Sequence, residues 1–563
     1  MKVLEVGFPL LQVWGGVIVA MFFLGGCDYK PPEDPSHIKT ATITLTVKGV
    51  GSVISEPEGI SCPPTCESTF DKNSDVSLIA SGSLDTNFAF WTGGCKEELT
   101  ENCLISLDGD VTVEAIFSPA LLAKRLDVSA ISLSEGALFG FSISAIPDLD
   151  NDLKQDIIVG APYQDRSSTT TPGEGKVYLF SGGTGLLVST TTSLLATSTI
   201  SHPVPQSEAR FGYSVASMGD LDQDGIGDIL VGAPLQDRDG TTTDVGEAYL
   251  ISGKTGALLP WGIIAHPVPQ ASAQFGFSLS PISDMNGDSV NDFIVGANRQ
   301  DVGSVKDVGE VYLFSGKTGT LLRTIKHPAL QEGATFGLSV ASVGDLSGDG
   351  LPEILVGAPF QDSSTGLDQG AAYLFSGATG NLFRTITHPA PQATARFGSF
   401  VMGSGDLDGD SVADYLVSAP LQDVGGNSNQ GAVFVFSGKT GNLLRRIDLP
   451  IPQPGAFFGS SIAVVPDLNG DGFPEILIGA PGMDIGGTLA AGMALLYSGH
   501  DGALIATISN PNPEQAAQFA NPVASIGDIS GDGKADILIG APFQDGTGTN
   551  QEDRGAVLIV NSP

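Results

Sequence analysis

The sequence predicts an all-β chain built mainly as a seven-bladed β-propeller, and three observations carry that expectation. A unit of about 61 residues recurs seven times, each unit reads as four short strands, and the last unit lacks a strand that a segment ahead of the first can supply.

The recurrence is marked by Phe-Gly at residues 139, 211, 275, 336, 397 and 458, with Phe519-Ala520 as an altered seventh copy. Successive spacings are 72, 64, 61, 61, 61 and 61 residues. Within a unit, Phe-Gly opens a first apolar strand, as in Phe211-Gly-Tyr-Ser-Val-Ala-Ser, and an Asp-rich loop follows. A buried strand then ends in Gly-Ala-Pro (Ile229–Pro234), and a Gln-Asp loop leads to a third strand such as Val311–Ser315. Ser-Gly-Lys-Thr-Gly closes that strand, and a fourth begins at Leu-Leu, as in Leu321–Ile325. One such sheet cannot bury both faces, so neighbours must stack. The final unit stops after Ala556–Asn561, its third strand. Leu121-Leu-Ala-Lys-Arg-Leu126 matches the fourth strands at Leu321 and Leu443, so it is expected to pair with the C-terminal three, closing the ring and removing its open edges.

Composition agrees with many short strands and tight turns: 74 Gly and 35 Pro in 563 residues, with 41% hydrophobic residues for the core. The formal net charge of −37 argues against nucleic acid as a partner and calls for cations to offset the carboxylates.

Ahead of the repeats, Lys2 precedes an apolar run from Gly7 to Gly26 that ends in Leu24-Gly-Gly-Cys27. A charged start, an apolar stretch and small residues before a cut read as a secretory signal over residues 1–26. About 20 apolar residues could also span a bilayer uncleaved. The Leu-Gly-Gly-Cys ending resembles the bacterial lipobox, which implies lipidation of Cys27 and retention on a membrane or the cell surface of a bacterial envelope. Residues 27–40 are polar and Pro-rich, as a tether would be. Four further cysteines, Cys62, Cys66, Cys95 and Cys103, cluster in one region and in an exported chain read as two disulfides, with zinc the lesser alternative for the Cys-x-x-x-Cys spacing. Residues 41–118 form a small β module whose ends, Thr42–Val47 and Val111–Phe117, alternate as strands do. Its Gly-Ser-Val strand, Cys pair, Phe-x-x-Trp-x-x-Gly-Cys and closing strand resemble a divergent internalin-type bacterial repeat, which implies a spacer. Nearest-neighbour pairing would join Cys62 to Cys66 and Cys95 to Cys103. The propeller is expected over residues 119–563.

The Asp-rich loops align without gaps over nine positions. Position 1 is Asp148, Asp220, Asp284, Asp345, Asp406, Asp467 and Asp528. Position 3 is Asp150, Asp222, Asn286, Ser347, Asp408, Asn469 and Ser530. Position 5 is Asp152, Asp224, Asp288, Asp349, Asp410, Asp471 and Asp532. Position 9 is Asp156, Asp228, Asp292, Glu353, Asp414, Glu475 and Asp536. Alternate oxygen donors with a free carbonyl at position 7 suit a hard cation, and calcium (Ca2+) tolerates such loose geometry better than magnesium. Without a cation the carboxylates repel. Up to seven ions would take the formal charge from −37 to about −23. Loops 1, 2 and 5 hold four carboxylates and are expected to bind most tightly.

Phe-Gly, the Asp loop and Gly-Ala-Pro together resemble the FG-GAP repeats of the integrin α-subunit propeller. The chain departs from that pattern at Asn298, Ser418 and Ala520. The resemblance implies calcium loops on one face and a protein or glycan ligand on the other, where the Gln-Asp and His-Pro loops lie. A candidate ligand face is the ring of Asp165, Asp237, Asp301, Asp362, Asp423, Asp484 and Asp545, which alternatively cap loop amides. His202, His266, His327 and His388 recur before Pro and read as a turn consensus. No nucleophile elbow, zinc-protease helix or phosphate loop is present, so a non-enzymatic, calcium-binding adhesion or ligand-binding surface lipoprotein is expected. A hydrolase or lyase with a channel active site, or a purely structural envelope protein, are the alternatives.

Overall fold

A computed structural model describes residues 40–49, 51–82, 86–95, 101–119, 123–165, 172–188, 197–238, 240, 242–364, 366–545 and 552–562. Among them there is no helix, and the strands form nine four-stranded sheets. The signal, Cys27 and nearly all of the tether lie outside the described residues.

Two sheets belong to the N-terminal region. One runs Glu67–Asp71, Thr40–Lys48, Val111–Pro119, Thr86–Gly93, with its two central strands parallel. The other runs Ser61–Cys62, Gly51–Glu56, Asp75–Gly82, Asn102–Ser106. Trp91, Ile43, Leu45, Val53 and Val113 fill the space between them. Disulfides join Cys62 to Cys66 and Cys95 to Cys103, as nearest-neighbour pairing anticipated. Phe90 is buried in a cluster with Ile478, Met483 and Leu495 of the sixth repeat.

The other seven sheets come from the repeats, and each is an antiparallel meander in the arrangement of a β-propeller. The third repeat is representative: Phe275–Ile282, Asp292–Ala297, Glu310–Phe314, Leu321–Lys326, in that spatial order. Its second and third strands are buried along their whole length, because a neighbouring sheet covers each face. This is why they read as continuous apolar runs instead of alternating ones. The fourth strand lies outermost and stays partly exposed. First strands of successive sheets contact one another in order, and the first strand of the seventh repeat contacts that of the first. In the last sheet Ala123, Lys124 and Arg125 pair antiparallel with Val560, Ile559 and Leu558. The N-terminal segment thus supplies the missing fourth strand, although Leu121 and Leu122 lie outside the described residues.

Phe-Gly does not open the first strand in most repeats; it sits just before it. The Phe ring is fully buried in all seven copies. The Gly takes a left-handed backbone, for example φ +86° at Gly212 and +88° at Gly337, so that its carbonyl turns to the preceding sheet. There it accepts a hydrogen bond from a serine two residues past the preceding Phe-Gly: Ser142 to Gly212 (2.8 Å), Ser214 to Gly276 (2.8 Å) and Ser278 to Gly337 (2.7 Å). The Gly of Gly-Ala-Pro meets the same carbonyl, and a Cβ on Gly160 would come within 2.2 Å of Gly212 O. The Phe-Gly-x-Ser and Gly-Ala-Pro signatures are therefore the two sides of the seams where this bond forms, a fourth being Ser461 to the Ala520 carbonyl (2.9 Å). Ala520 keeps the left-handed backbone at φ +69° without being glycine, and Ser418 uses its hydroxyl to accept the Phe400 N–H (3.0 Å).

Candidate metal centre

Each Asp loop joins the first strand to the second, and its position-9 acid is the first residue of the second strand in all seven repeats. That acid is fixed from two directions. Asp228 accepts the N–H of Leu221 (2.7 Å) inside its own loop and that of Gly253 (3.0 Å) from the turn after the third strand. The same pair of bonds recurs at Asp156, Asp292, Asp414 and Asp536, the last using Ser562. Glu353 and Glu475 keep the bond from inside the loop, at 2.6 and 2.8 Å.

Position 1 organises the turn. Asp345 accepts the N–H groups of Gly348 (2.6 Å), Asp349 (3.2 Å) and Gly350 (2.8 Å). Asp148, Asp220, Asp284, Asp406, Asp467 and Asp528 accept backbone N–H groups in their own loops in the same way. Position 3 lends an oxygen to the position-5 N–H where it is Asp222, Asn286, Asp408 or Asn469. Ser347 and Ser530 instead donate to the position-1 carboxylate. Position 5 accepts the N–H of position 7, as Asp152, Asp224, Asp288, Asp349, Asp410, Asp471 and Asp532 all do.

Carboxylate oxygens converge to within 4.8 Å of one another in four loops: Asp148, Asp150 and Asp156; Asp220, Asp222 and Asp228; Asp406, Asp408 and Asp414; Asp467, Asp471 and Glu475. These clusters could hold a metal ion. Three of the four are the loops whose sequence supplies a fourth acid at position 3. In the loops of Asp284, Asp345 and Asp528 the three acids do not close to that distance as a set.

The electrostatics follow from burial and crowding. Burial pushes the carboxyl of Asp156 up to about 7 and those of Asp228, Asp292 and Asp414 to about 6, with neighbouring loop acids adding to the rise against their backbone donors. Burial also raises Glu353 and Glu475. Asp345 and Asp528 move the other way, held down first by the N–H of Gly350 and of Gly533. Two loop oxygens, Asp150 Oδ1 and Glu353 Oε1, are buried without a hydrogen-bond partner. Buried acids that converge, repel and keep an unpartnered oxygen fit a divalent cation bound through oxygen.

Sequence reasoning missed the lysine of Ser-Gly-Lys-Thr-Gly. Lys254, Lys317 and Lys439 reach the carbonyl oxygens of Asp224, Asp288 and Asp410 at 3.2, 3.1 and 3.4 Å. The signal was in plain view, because the pentapeptide recurs in the second, third and fifth repeats, its lysine 29 or 30 residues after position 5 of the loop.

At the other end of the second strand every acid of the Gln-Asp ring caps a backbone N–H in its own loop. Asp165 accepts from Gly173, Asp237 from Asp244, Asp301 from Asp307 and Asp362 from Asp368. Asp423 accepts from Asn429, Asp484 from Ala490 and Asp545 from Asp553, all seven bonds lying between 2.8 and 3.0 Å. His266, His327 and His388 are buried, and each accepts at Nδ1 the N–H two residues on (3.0 Å). Burial lowers all three to about 4, so they are neutral imidazoles. His202 is also buried, 3.1 Å from the Tyr249 hydroxyl.

Residues 139–180, 211–251, 336–375, 458–496 and 520–560 match the FG-GAP repeat family. The chain carries FG-GAP repeats. The third and fifth copies, outside those spans, are the ones in which Asn298 and Ser418 interrupt Gly-Ala-Pro. The chain is 31% identical over 222 residues to integrin alpha-5 of Xenopus laevis, covering 37% of this chain and 20% of that protein. It is 35% identical over 193 residues to integrin alpha-PS5 of Drosophila melanogaster, covering 32% and 18%. Integrin alpha-IIb of Mus musculus is 36% identical over 163 residues, covering 27% and 15%. The chain thus spans a fifth or less of the length of these relatives. A crystal structure of BBS1N in complex with ARL6DN, soaked with lead, aligns with 78% of this chain and 97% of that one at a TM-score of 0.42 and 13% identity. In this FG-GAP, integrin-alpha-like chain the acid clusters and the Gln-Asp ring lie at opposite ends of the second strands.

Proposed function

We propose that the chain is a calcium-dependent adhesion or ligand-binding module: a seven-bladed FG-GAP propeller over residues 119–563, carried by the module at 41–118 and lipid-anchored at Cys27 after removal of residues 1–26. Calcium is structural here. It would neutralise the position-1, 3, 5 and 9 oxygens of each loop and fix the turn between first and second strands. The observation that carries this reading is the convergence of three carboxylates in four loops, one of them holding the unpartnered Asp150 Oδ1. Likeness to integrin alpha chains supports a protein ligand, with a glycan as the other candidate, at the opposite, Gln-Asp end of the ring, and the Leu-Gly-Gly-Cys27 ending supports the bacterial cell envelope as the location.

A cavity of about 660 Å³ opens along the first strands, between Phe141, Tyr213-adjacent Ser214, Phe277, Leu338, Ser399 and Asn521. Its described lining contains no acid, histidine, cysteine, lysine or arginine, which offers acid–base catalysis no proton carrier. Glycan and protein arrays probed with the full-length chain, with and without calcium, test the function. Calcium-dependent capture of a defined ligand is expected. Absence of capture under both conditions, with calcium uptake intact, would favour a structural envelope role.

A further inference from the structure

In three loops the protein brings a cation of its own to position 5. Lys254 Nζ lies 3.2 Å from the Asp224 carbonyl and 3.8 Å from its carboxylate. Lys439 Nζ stands 3.4 and 3.9 Å from the same groups of Asp410, and Lys317 Nζ is 3.1 Å from the Asp288 carbonyl. The placement is built in. The glycine just before each lysine donates its N–H to the position-9 carboxylate of the same loop (Gly253, Gly316 and Gly438, at 3.0, 3.0 and 2.9 Å). The turn is thereby pinned to one end of the acid cluster and hands its ammonium to the other.

The repeats provide an internal comparison. The lysine position is Gly183 in the first repeat and Ala378 in the fourth. In the sixth it is His500, stacked on Phe473 at 4.2 Å. Among the described residues, the two loop oxygens buried without a partner, Asp150 Oδ1 and Glu353 Oε1, belong to the first and fourth loops. Both loops lack this lysine. No loop carboxylate oxygen is left in that state in the three lysine-bearing loops, nor in the sixth and seventh, which lack the lysine.

We propose that Lys254, Lys317 and Lys439 are resident counter-ions that grade the calcium loops, and this rests on the calcium reading above. Each holds its loop together when calcium is scarce and weakens calcium binding there, since a divalent ion must share the site with a fixed positive charge. Counting carboxylates alone then overrates loops 2 and 5, whose fourth acid is offset by the ammonium, and leaves loop 3 the weakest of the seven.

The test is calcium titration calorimetry on the full chain, comparing wild type with the double variant K254M/K439M and with K306M. Lys306 pairs with Asp301 at the Gln-Asp end, so its replacement removes the same charge far from the loops. A unit charge about 4 Å away in water corresponds to roughly fivefold in affinity, and more for a divalent ion. The double variant is therefore expected to bind at two sites about fivefold tighter or better, with unchanged stoichiometry, and to melt lower than wild type in chelator. K306M is expected to leave calcium affinity within about twofold of wild type. Calcium uptake by wild type with no tightening in K254M/K439M overturns the counter-ion proposal and leaves the calcium reading standing. No uptake by any of the three overturns both.

Discussion

The second strand of each repeat has an acid-bearing loop at either end, and the two ends treat their carboxylates in opposite ways. Asp220, Asp222 and Asp228 converge to within 4.8 Å ahead of the second strand of repeat 2, whereas Asp237 beyond its other end caps the N–H of Asp244 at 2.9 Å. Both ends recur seven times with the same register. Recurrence therefore does not mark a site. Convergence, burial and unpartnered oxygen do, because carboxylates pressed together need a counter-charge, while an acid that caps an amide has already found its partner.

The sharpest way to break this contrast is to delete one acid from each end. Asp228→Ala strands two buried N–H groups and removes a converging acid, so it is expected to cost about 3 kcal/mol and one calcium equivalent. Asp237→Ala loses one cap on a half-exposed loop and is expected to cost about 1 kcal/mol with calcium stoichiometry unchanged. Chemical denaturation and calcium titration of the two variants check both. Equal costs, or loss of a calcium in Asp237→Ala, would erase the distinction.

A second effect lies among the buried polar groups of the Gln-Asp end. His388 stands against Gln422 of the next sheet, and at the following seam the two positions are Leu449 and Met483, both buried in one apolar cluster. At the seam after that, Asn510 Nδ2 donates to Gln544 Oε1 (2.7 Å). Each pair matches in polarity. His388→Leu is expected to cost about 1 kcal/mol by setting an apolar side chain against the buried Gln422 Oε1, whose Nε2 keeps Gln392 and the Asp423 carbonyl, and Gln422→Met added to it to restore part of that. Melting temperatures of the single and double variants decide; additive losses would show that the pair is not coupled.

The smallest effect is the pH dependence, and its sign differs with and without calcium. Asp156 at about 7 and Asp228, Asp292 and Asp414 at about 6 stand above the unfolded-state value near 3.8. The folded, metal-free chain therefore holds extra protons. The stability they bring is complete below about pH 4 and is lost as pH rises through 6 to 7. In chelator, melting is expected to fall by a few degrees between pH 5 and 7.5. With calcium it is expected to rise over the same range, because the ligands must be deprotonated. Parallel trends in the two conditions would contradict the assignment of these acids to the metal.

Much of this architecture was readable beforehand because it is written in repeats. The sheet order, the closing segment at Ala123–Arg125 and the loop positions all follow from seven aligned copies. What the alignment hid was distance. It put the loops of Asp284, Asp345 and Asp528 on a par with that of Asp467, each with three acids, although among the described residues only the Asp467 loop of these four brings its three carboxylates together. It likewise passed over Lys254, which lies 30 residues along the chain from Asp224 and joins its loop only through the folded third-strand turn. The Phe-Gly serines were unreadable for the same reason, since their partners sit one repeat away.

The most direct measurement of the central claim is calcium titration calorimetry of the chelator-stripped, full-length chain, paired with its melting temperature in calcium and in chelator. The account predicts uptake of several calcium ions per chain, up to seven, with affinities on the order of 10⁻⁴ to 10⁻³ M or tighter and a melting temperature lowered by chelator. Absence of both calcium uptake and any chelator effect on melting would contradict it.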